Sequence, residues 1–96
     1  MNRELPDVQV GFRNNMLRIH DLKTGKVPAH FEQLMIYAAL FCLEYDFKPS
    51  DIEMELRIYQ SNEVLFMVPD ISDIVPIMDR IITADKIISK IQIEES

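Results

Sequence analysis

The stretch VQVGFRNNMLRIHDLK, residues 8–23, decides the fold of this chain. Apolar side chains alternate with polar or small ones on both sides of Arg13-Asn14-Asn15, which is typical of two half-buried strands. Asn tolerates the left-handed backbone angles of a tight turn. The stretch therefore predicts a β-hairpin whose strands are Val8–Phe12 and Met16–Lys23.

A helix is predicted after this hairpin. Pro28 opens it at a position where its missing N–H does little harm. The following residues, to Glu44, are apolar on most sides, which is typical of a buried helix. The strictly alternating run Ile52–Tyr59 then predicts a third strand, with its four apolar residues on one face, and Glu63–Val68 predicts a fourth.

A second helix is predicted to close the chain. Asp70 or Ser72 can cap it, and Pro76 falls early enough to be tolerated. Apolar residues recur at helical spacing at Ile74, Met78, Ile81, Ile88 and Ile91. The predicted fold class is a small α/β domain in ββαββα order, with helices packed on one mixed sheet. The connection from Lys23 to Ile52 is long enough for a crossover between parallel strands.

Size and composition restrict the class of protein. A chain of 96 residues, 48% of them hydrophobic, forms one domain over residues 1–96. No apolar run approaches the roughly 18 residues of a membrane span, and the N-terminus lacks a secretory core. The single cysteine, Cys42, cannot form an internal disulfide, so we expect a reduced, cytoplasmic setting. We expect the Cys42 side chain itself to be a small buried apolar residue. The net charge of −6 argues against a non-specific nucleic-acid coat protein.

The triplet Asp21-Leu22-Lys23 carries the chemistry. Residues two apart on a strand point to the same face, so a carboxylate suited to a divalent cation lies beside an ammonium group. This pairing suits metal-assisted hydrolysis of a phosphodiester. Upstream, Pro6-Asp7 could supply a second carboxylate.

The segments MLRIHDLKTGK (residues 16–26) and QLMIYAALF (residues 33–41) resemble the RecB-like branch of the PD-(D/E)xK nucleases. Phage-encoded and CRISPR-associated RecB-like exonucleases belong to that branch, and they carry a D-x-K-T-G-like strand end followed by a Q-x-x-x-Y helix. The similarity runs from Pro6 to about Phe41. It implies a restriction-endonuclease-like core that lacks the family's N-terminal region, because only Met1–Leu5 precede Pro6.

The resemblance also implies residue roles. Metal ligands would be Asp7, Asp21 and the main-chain carbonyl of Leu22, and the metal would be Mg²⁺ or Mn²⁺. Lys23 would orient the attacking water or stabilise developing negative charge.

Gln33 and Tyr37, one helical turn apart, would border that site and position it or the nucleic-acid strand. The partner would be DNA, with no membrane. Another subunit or a homo-oligomer could supply the missing N-terminal region. The resemblance implies a bacterial or phage-infected cell as the setting. The alternative function is a non-catalytic remnant or subunit that binds a protein partner through its sheet edge or its isoleucine-rich helix.

The hairpin register bears on this site. A two-residue turn pairs Val8 with Asp21 and leaves Asp7 opposite Leu22, on the wrong face. We therefore predict a one-residue shift, from a three-residue turn or a bulge near Gly11, that brings Asp7 opposite Asp21.

Simpler interpretations exist for each residue. Asp21 and Lys23 could be a solvated pair, and Asp7 a turn residue after Pro6. Tyr37 could be a core aromatic. His20 alternates to the face opposite Asp21, which favours a surface or packing role.

Overall fold

A computed structural model describes residues 8–23, 30–60 and 62–95, with side chains to residue 87. They form a small α/β fold, a mixed sheet of four strands with two helices on one face, so the predicted fold class is confirmed at that level. The elements are β1 (Val8–Arg13), β2 (Met16–Lys23), α1 (Phe31–Tyr45), a 3-10 turn (Pro49–Asp51), β3 (Glu53–Gln60), β4 (Glu63–Met67) and α2 (Ile71–Glu95).

The strands lie in the order β1-β2-β3-β4. The outer pairs are antiparallel, whereas the central strands β2 and β3 are parallel. The expected crossover is therefore present, and α1 forms it. Because β2 and β3 point the same way, α1 returns the chain from the carboxyl end of β2 to the amino end of β3.

The first hairpin turns on two asparagines. Asn14 and Asn15 both have left-handed backbone angles, with φ of 54° and 61°. Two successive left-handed residues form a type I′ turn, whose twist matches that of the flanking strands. The carbonyl of Asn15 also accepts a hydrogen bond of 2.8 Å from the N–H of Glu53, which ties the turn to the start of β3.

This turn gives the hairpin the two-residue register. Phe12 lies opposite Leu17, and Val8 lies opposite Asp21. Gly11 pairs regularly as well, with no bulge. The one-residue shift that we predicted is therefore wrong, because the local chemistry of the Asn-Asn turn determines the pairing.

Helix α1 has apolar residues on its exposed side as well as on its buried side. It begins at Phe31, because His30 is extended (φ −129°, ψ 124°), whereas we predicted a helix from Pro28, which lies outside the described residues. It ends at the left-handed Asp46. Its inner face packs into the core, but Ile36 and Leu40 are exposed. The prediction of a helix buried nearly all round is wrong, since only its inner face is covered in the described part of the chain.

The core lies between the sheet and the two helices. Strand β3 contributes Met54, Leu56 and Ile58, as its alternation predicted. Strand β2 contributes Leu17 and Ile19, and Ile52 lies just before β3. The helices contribute Leu34, Ala38, Ala39, Cys42, Ile74 and Ile77. Burial raises the pKa of the Cys42 thiol, in keeping with a packing role.

Helix α2 begins with a side-chain cap. The N–H of Asp70 donates to Oδ2 of Asp73 at 2.9 Å, and the N–H of Asp73 donates back to the carbonyl of Asp70. This reciprocal pair satisfies N–H groups that a helix start leaves unpaired. Among the described residues, neither helix is long and apolar enough to cross a membrane.

Candidate active site at the carboxyl end of the second strand

Asp21 lies on the face of the sheet that packs against the helices. It follows Leu17 and Ile19 at the period-2 spacing of a strand. Its neighbours on the flanking strands are Val8 and Ile58. The residue is only 3% exposed and is the one charged or polar residue among the buried residues of the described segments. A carboxylate therefore occupies a core position at the carboxyl end of β2.

Lys23 shares this face, as the sequence predicted. Its Nζ lies 3.1 Å from Oδ2 of Asp21, and its side chain is about one quarter exposed. The ammonium group therefore connects the buried carboxylate with solvent. Such a pair at a strand end places a negative and a positive group within reach of one ligand.

The carboxylate of Asp21 is incompletely paired. Oδ2 has the ion-pair contact with Lys23, yet it forms no hydrogen bond with any described residue. A buried acceptor without a hydrogen bond costs free energy and calls for an explanation. A bound cation or water at this oxygen would supply one.

The second carboxylate of the predicted site is not placed. Asp7 lies outside the described residues. The residue opposite Asp21 on β1 is Val8, so the register on which we based a two-carboxylate site is absent. In the segments that the structure describes, no three His, Cys, Asp or Glu side chains form a group able to hold a metal ion.

The structure separates the remaining predicted residues. The side chain of Leu22 is exposed on the face opposite Asp21, and the proposed ligand role of its carbonyl stays a prediction. Gln33 is exposed in the first turn of α1. Tyr37 lines an apolar groove of about 660 Å³ with Val10 and Phe12. Within the described residues, no hydrogen bond joins Gln33 or Tyr37 to Asp21, so their roles also stay predictions.

A polar cluster that the sequence did not predict lies on the opposite face of the sheet. Nδ1 of His20 lies 3.0 Å from the hydroxyl oxygen of Tyr59, and their rings are stacked. Nε of Arg18 and Nη2 of Arg57 both donate to Oε1 of Glu55, at 3.0 and 3.2 Å. The sequence does indicate this face, since polar residues alternate with apolar ones in Ile52–Tyr59 and must point away from the core.

This cluster changes the titration of His20. Partial burial lowers the pKa of His20 below its ordinary value. The positive charges of Arg57 and Arg18 lower it further, against the smaller opposing effect of Glu55. A lowered pKa favours the neutral ring. When its proton is on Nε2, the neutral ring accepts a hydrogen bond at Nδ1 from the Tyr59 hydroxyl.

Comparison with known proteins returned no match to a family model, to a curated protein or to a solved structure.

Proposed function

We propose that the chain is a metal-dependent nuclease that hydrolyses DNA phosphodiester bonds, as a RecB-like exonuclease does. The observation that carries the proposal is the buried, incompletely paired carboxylate of Asp21 beside Lys23. Stability alone favours an apolar residue at such a core position. A functional requirement explains why a charge lies there.

The donor set suits a hard divalent cation in part. Oδ2 of Asp21, which contacts Lys23 but forms no hydrogen bond with a described residue, fits one ligand position for Mg²⁺ or Mn²⁺. By resemblance, the main-chain carbonyl of Leu22 would be a second ligand, whereas the register lacks the pairing of Asp7 with Asp21 on which the ligand role of Asp7 was based. When bound, the metal would polarise the scissile phosphate and lower the pKa of a water molecule.

Lys23 has a separate task in this proposal. Its ammonium lies beside Asp21 and reaches solvent, so it would orient the attacking water or stabilise charge that develops on the phosphate. Gln33 and Tyr37, on the first two turns of α1, would border the site. We also propose that the sheet and its two helices form a restriction-endonuclease-like core.

The location supports a ligand site. In sheets with parallel strands, ligands bind outside the carboxyl ends of the strands. Asp21 and Lys23 lie at that end of β2, next to its parallel neighbour β3.

A second candidate is the protein-interaction module. It is favoured by the absence of a metal-binding group among the described residues and by exposed apolar side chains on β4 and on the helices. In that case Asp21 would be a retained feature of a fold that no longer cleaves.

The test is cleavage of labelled single- and double-stranded DNA with Mn²⁺, using Asp21→Asn and Lys23→Gln. We expect each variant to lose at least about a hundredfold in rate, since each removes a group acting on the reacting atoms. Asp79→Asn and Lys86→Gln are matched controls, because they make the same changes at exposed positions of α2.

Calorimetric titration with Mn²⁺ completes the test. Binding that disappears in Asp21→Asn supports the metal site. Cleavage that is undiminished in both variants overturns the proposal. A wild-type chain that binds no Mn²⁺ and cleaves no DNA favours the interaction module.

A further inference from the structure

The face of the sheet opposite the helices carries an organised set of side chains. We call it the open face, because the described helices pack on the other side. Its members on the two central strands are Arg18, His20 and Leu22 of β2 and Glu55, Arg57 and Tyr59 of β3. Strand β4 adds Val64 and Phe66, which are paired with Tyr59 and Arg57.

Aromatic rings on the open face are held in place. The rings of His20 and Tyr59 are stacked, with centroids 5.7 Å apart and an interplanar angle of 20°. Their hydrogen bond restrains both rings. The guanidinium of Arg57 lies 5.4 Å from the centroid of Phe66, whose side chain is 53% exposed. Restrained rings on a sheet surface are the platform on which proteins stack unpaired bases.

The open face is also locally basic. Two arginines, Arg18 and Arg57, share a single carboxylate oxygen of Glu55. With Arg13 and Glu53 included, the face carries three positive and two negative groups, whereas the chain as a whole has a net charge of −6. Arg18, whose side chain is 51% exposed, donates to Glu55 through Nε, so its terminal N–H groups can donate to a ligand. Guanidinium groups recognise phosphate oxygens.

There is room for a ligand beside these arginines. Gly11 of β1 pairs with Arg18, and no atom lies within 4 Å of the position that a Cβ would take at Gly11. A glycine without neighbours lets a ligand approach the backbone of β1 closely.

We propose that the open face binds single-stranded nucleic acid. Unpaired bases would stack on the rings of His20, Tyr59 and Phe66, and phosphates would lie near Arg18 and Arg57. This inference rests on the proposed nuclease function for the choice of DNA as ligand, and it deepens that function by naming the form of the substrate. A duplex fits the face poorly, because its bases are already stacked and paired.

Continuity with the candidate active site supports this assignment. Strand β2 carries His20 and Leu22 on the open face and Asp21 and Lys23 on the other. A nucleic-acid strand that ran along β2 on the open face would reach the carboxyl end of β2, where Asp21 and Lys23 lie on the other face. The open face would hold the substrate, and the strand end would cleave it.

The test measures binding separately from cleavage. The probe is a fluorescein-labelled oligo-dT of 15 nucleotides, kept in EDTA to prevent cleavage. Its binding is measured by fluorescence anisotropy, with the matching duplex as competitor. We expect Phe66→Ala and Arg18→Gln each to weaken binding by about five- to a hundredfold, the range of one stacking or phosphate contact. Arg80→Gln on α2 is the matched charge control and should leave the affinity unchanged.

The variants keep the test interpretable. Phe66 and Arg18 are both largely exposed, so neither substitution removes core packing. Circular dichroism confirms the fold of each variant. A plot of the logarithm of the binding constant against that of the salt concentration has a negative slope. This slope should become shallower in Arg18→Gln, which loses a phosphate contact, and should be unchanged in Phe66→Ala.

Several results would overturn the inference. They are tighter binding of the duplex than of oligo-dT, equal losses in Arg18→Gln and Arg80→Gln, or a homodimer that Phe66→Ala dissociates. Asp21→Asn separates the two proposals. Oligo-dT binding that survives in that variant, with no cleavage by the wild type, contradicts only the nuclease. Cleavage with open-face variants as active as the wild type contradicts only this inference.

Discussion

The two faces of the sheet follow opposite rules, and each has an exception. On β3 the inner residues Met54, Leu56 and Ile58 are buried, whereas Glu55 and Arg57 between them reach solvent. Among the buried residues of the described inner face, only Asp21 is polar or charged. On the outer face three large apolar side chains, Leu22, Val64 and Phe66, are exposed beside the polar groups. Burial explains the rules, and it explains neither exception, so the exceptions are where function is to be sought.

The largest effect on stability should come from truncating a side chain on the inner face of β3, compared with one on its outer face. Leu56→Ala should lower the free energy of unfolding by about 2–5 kcal/mol, because it leaves a cavity in the core. Glu53→Ala, at an exposed outer-face position of the same strand, should cost less than about 1 kcal/mol. Urea denaturation of both variants measures the difference, and equal losses would refute the division into an inner and an outer face.

A smaller effect is expected at the exception on the inner face. Lys23→Ala leaves the buried carboxylate of Asp21 without its ion-pair partner and should cost about 1–3 kcal/mol. Asp21→Leu removes the charge itself and should be neutral or stabilising.

The double variant Asp21→Leu/Lys23→Ala should then lose less stability than Lys23→Ala alone. Additive losses in this double-mutant cycle would mean that the two side chains do not interact.

On the outer face, Tyr59→Phe tests the hydrogen bond to His20. It keeps the ring and removes the hydroxyl, so the free energy of unfolding should fall by about 0.5–1.5 kcal/mol. Tyr45→Phe is the matched control, since Tyr45 is 62% exposed at the end of α1. A loss at Tyr45 as large as that at Tyr59 would argue against a structural hydrogen bond.

The smallest effect is a dependence on pH. The pKa of His20 is lowered in the folded chain, so the unfolded chain binds the proton more readily. The contribution of His20 is therefore fully present above the ordinary histidine pKa of about 6.5 and is lost as the pH falls below it. Between pH 7.5 and 5.5, His20→Gln should lose less stability than the wild type in parallel urea titrations. An identical pH profile for both chains would contradict this assignment.

Much of the fold was predictable because it depends on local patterns. The alternation in Ile52–Tyr59 predicted the buried face of β3, and the asparagine pair predicted the first turn. The register prediction was wrong because it put the needs of a presumed site above the geometry of that turn. The exposure of Leu40 was missed because composition shows that a helix is apolar, and only packing partners show which side is covered.

The candidate site was predictable only within one strand. The shared face of Asp21 and Lys23 follows from strand geometry. The cluster that joins His20 to Tyr59 depends on the pairing of β2 with β3, and no periodicity shows which strands become neighbours. Such contacts link residues 37 and 39 positions apart and appear only once the topology is known.

That topology also sets an order of folding. The first hairpin closes over two residues, and such closures take microseconds. The parallel pairing of β2 with β3 must first close a chain loop of 37 residues, which makes it the slower step. Contacts across this central seam, such as that between Arg18 and Glu55, would then form late, after the hairpin on which Asp21 is carried. The strand that holds the candidate active site would thus exist as part of a hairpin before its site has a partner strand.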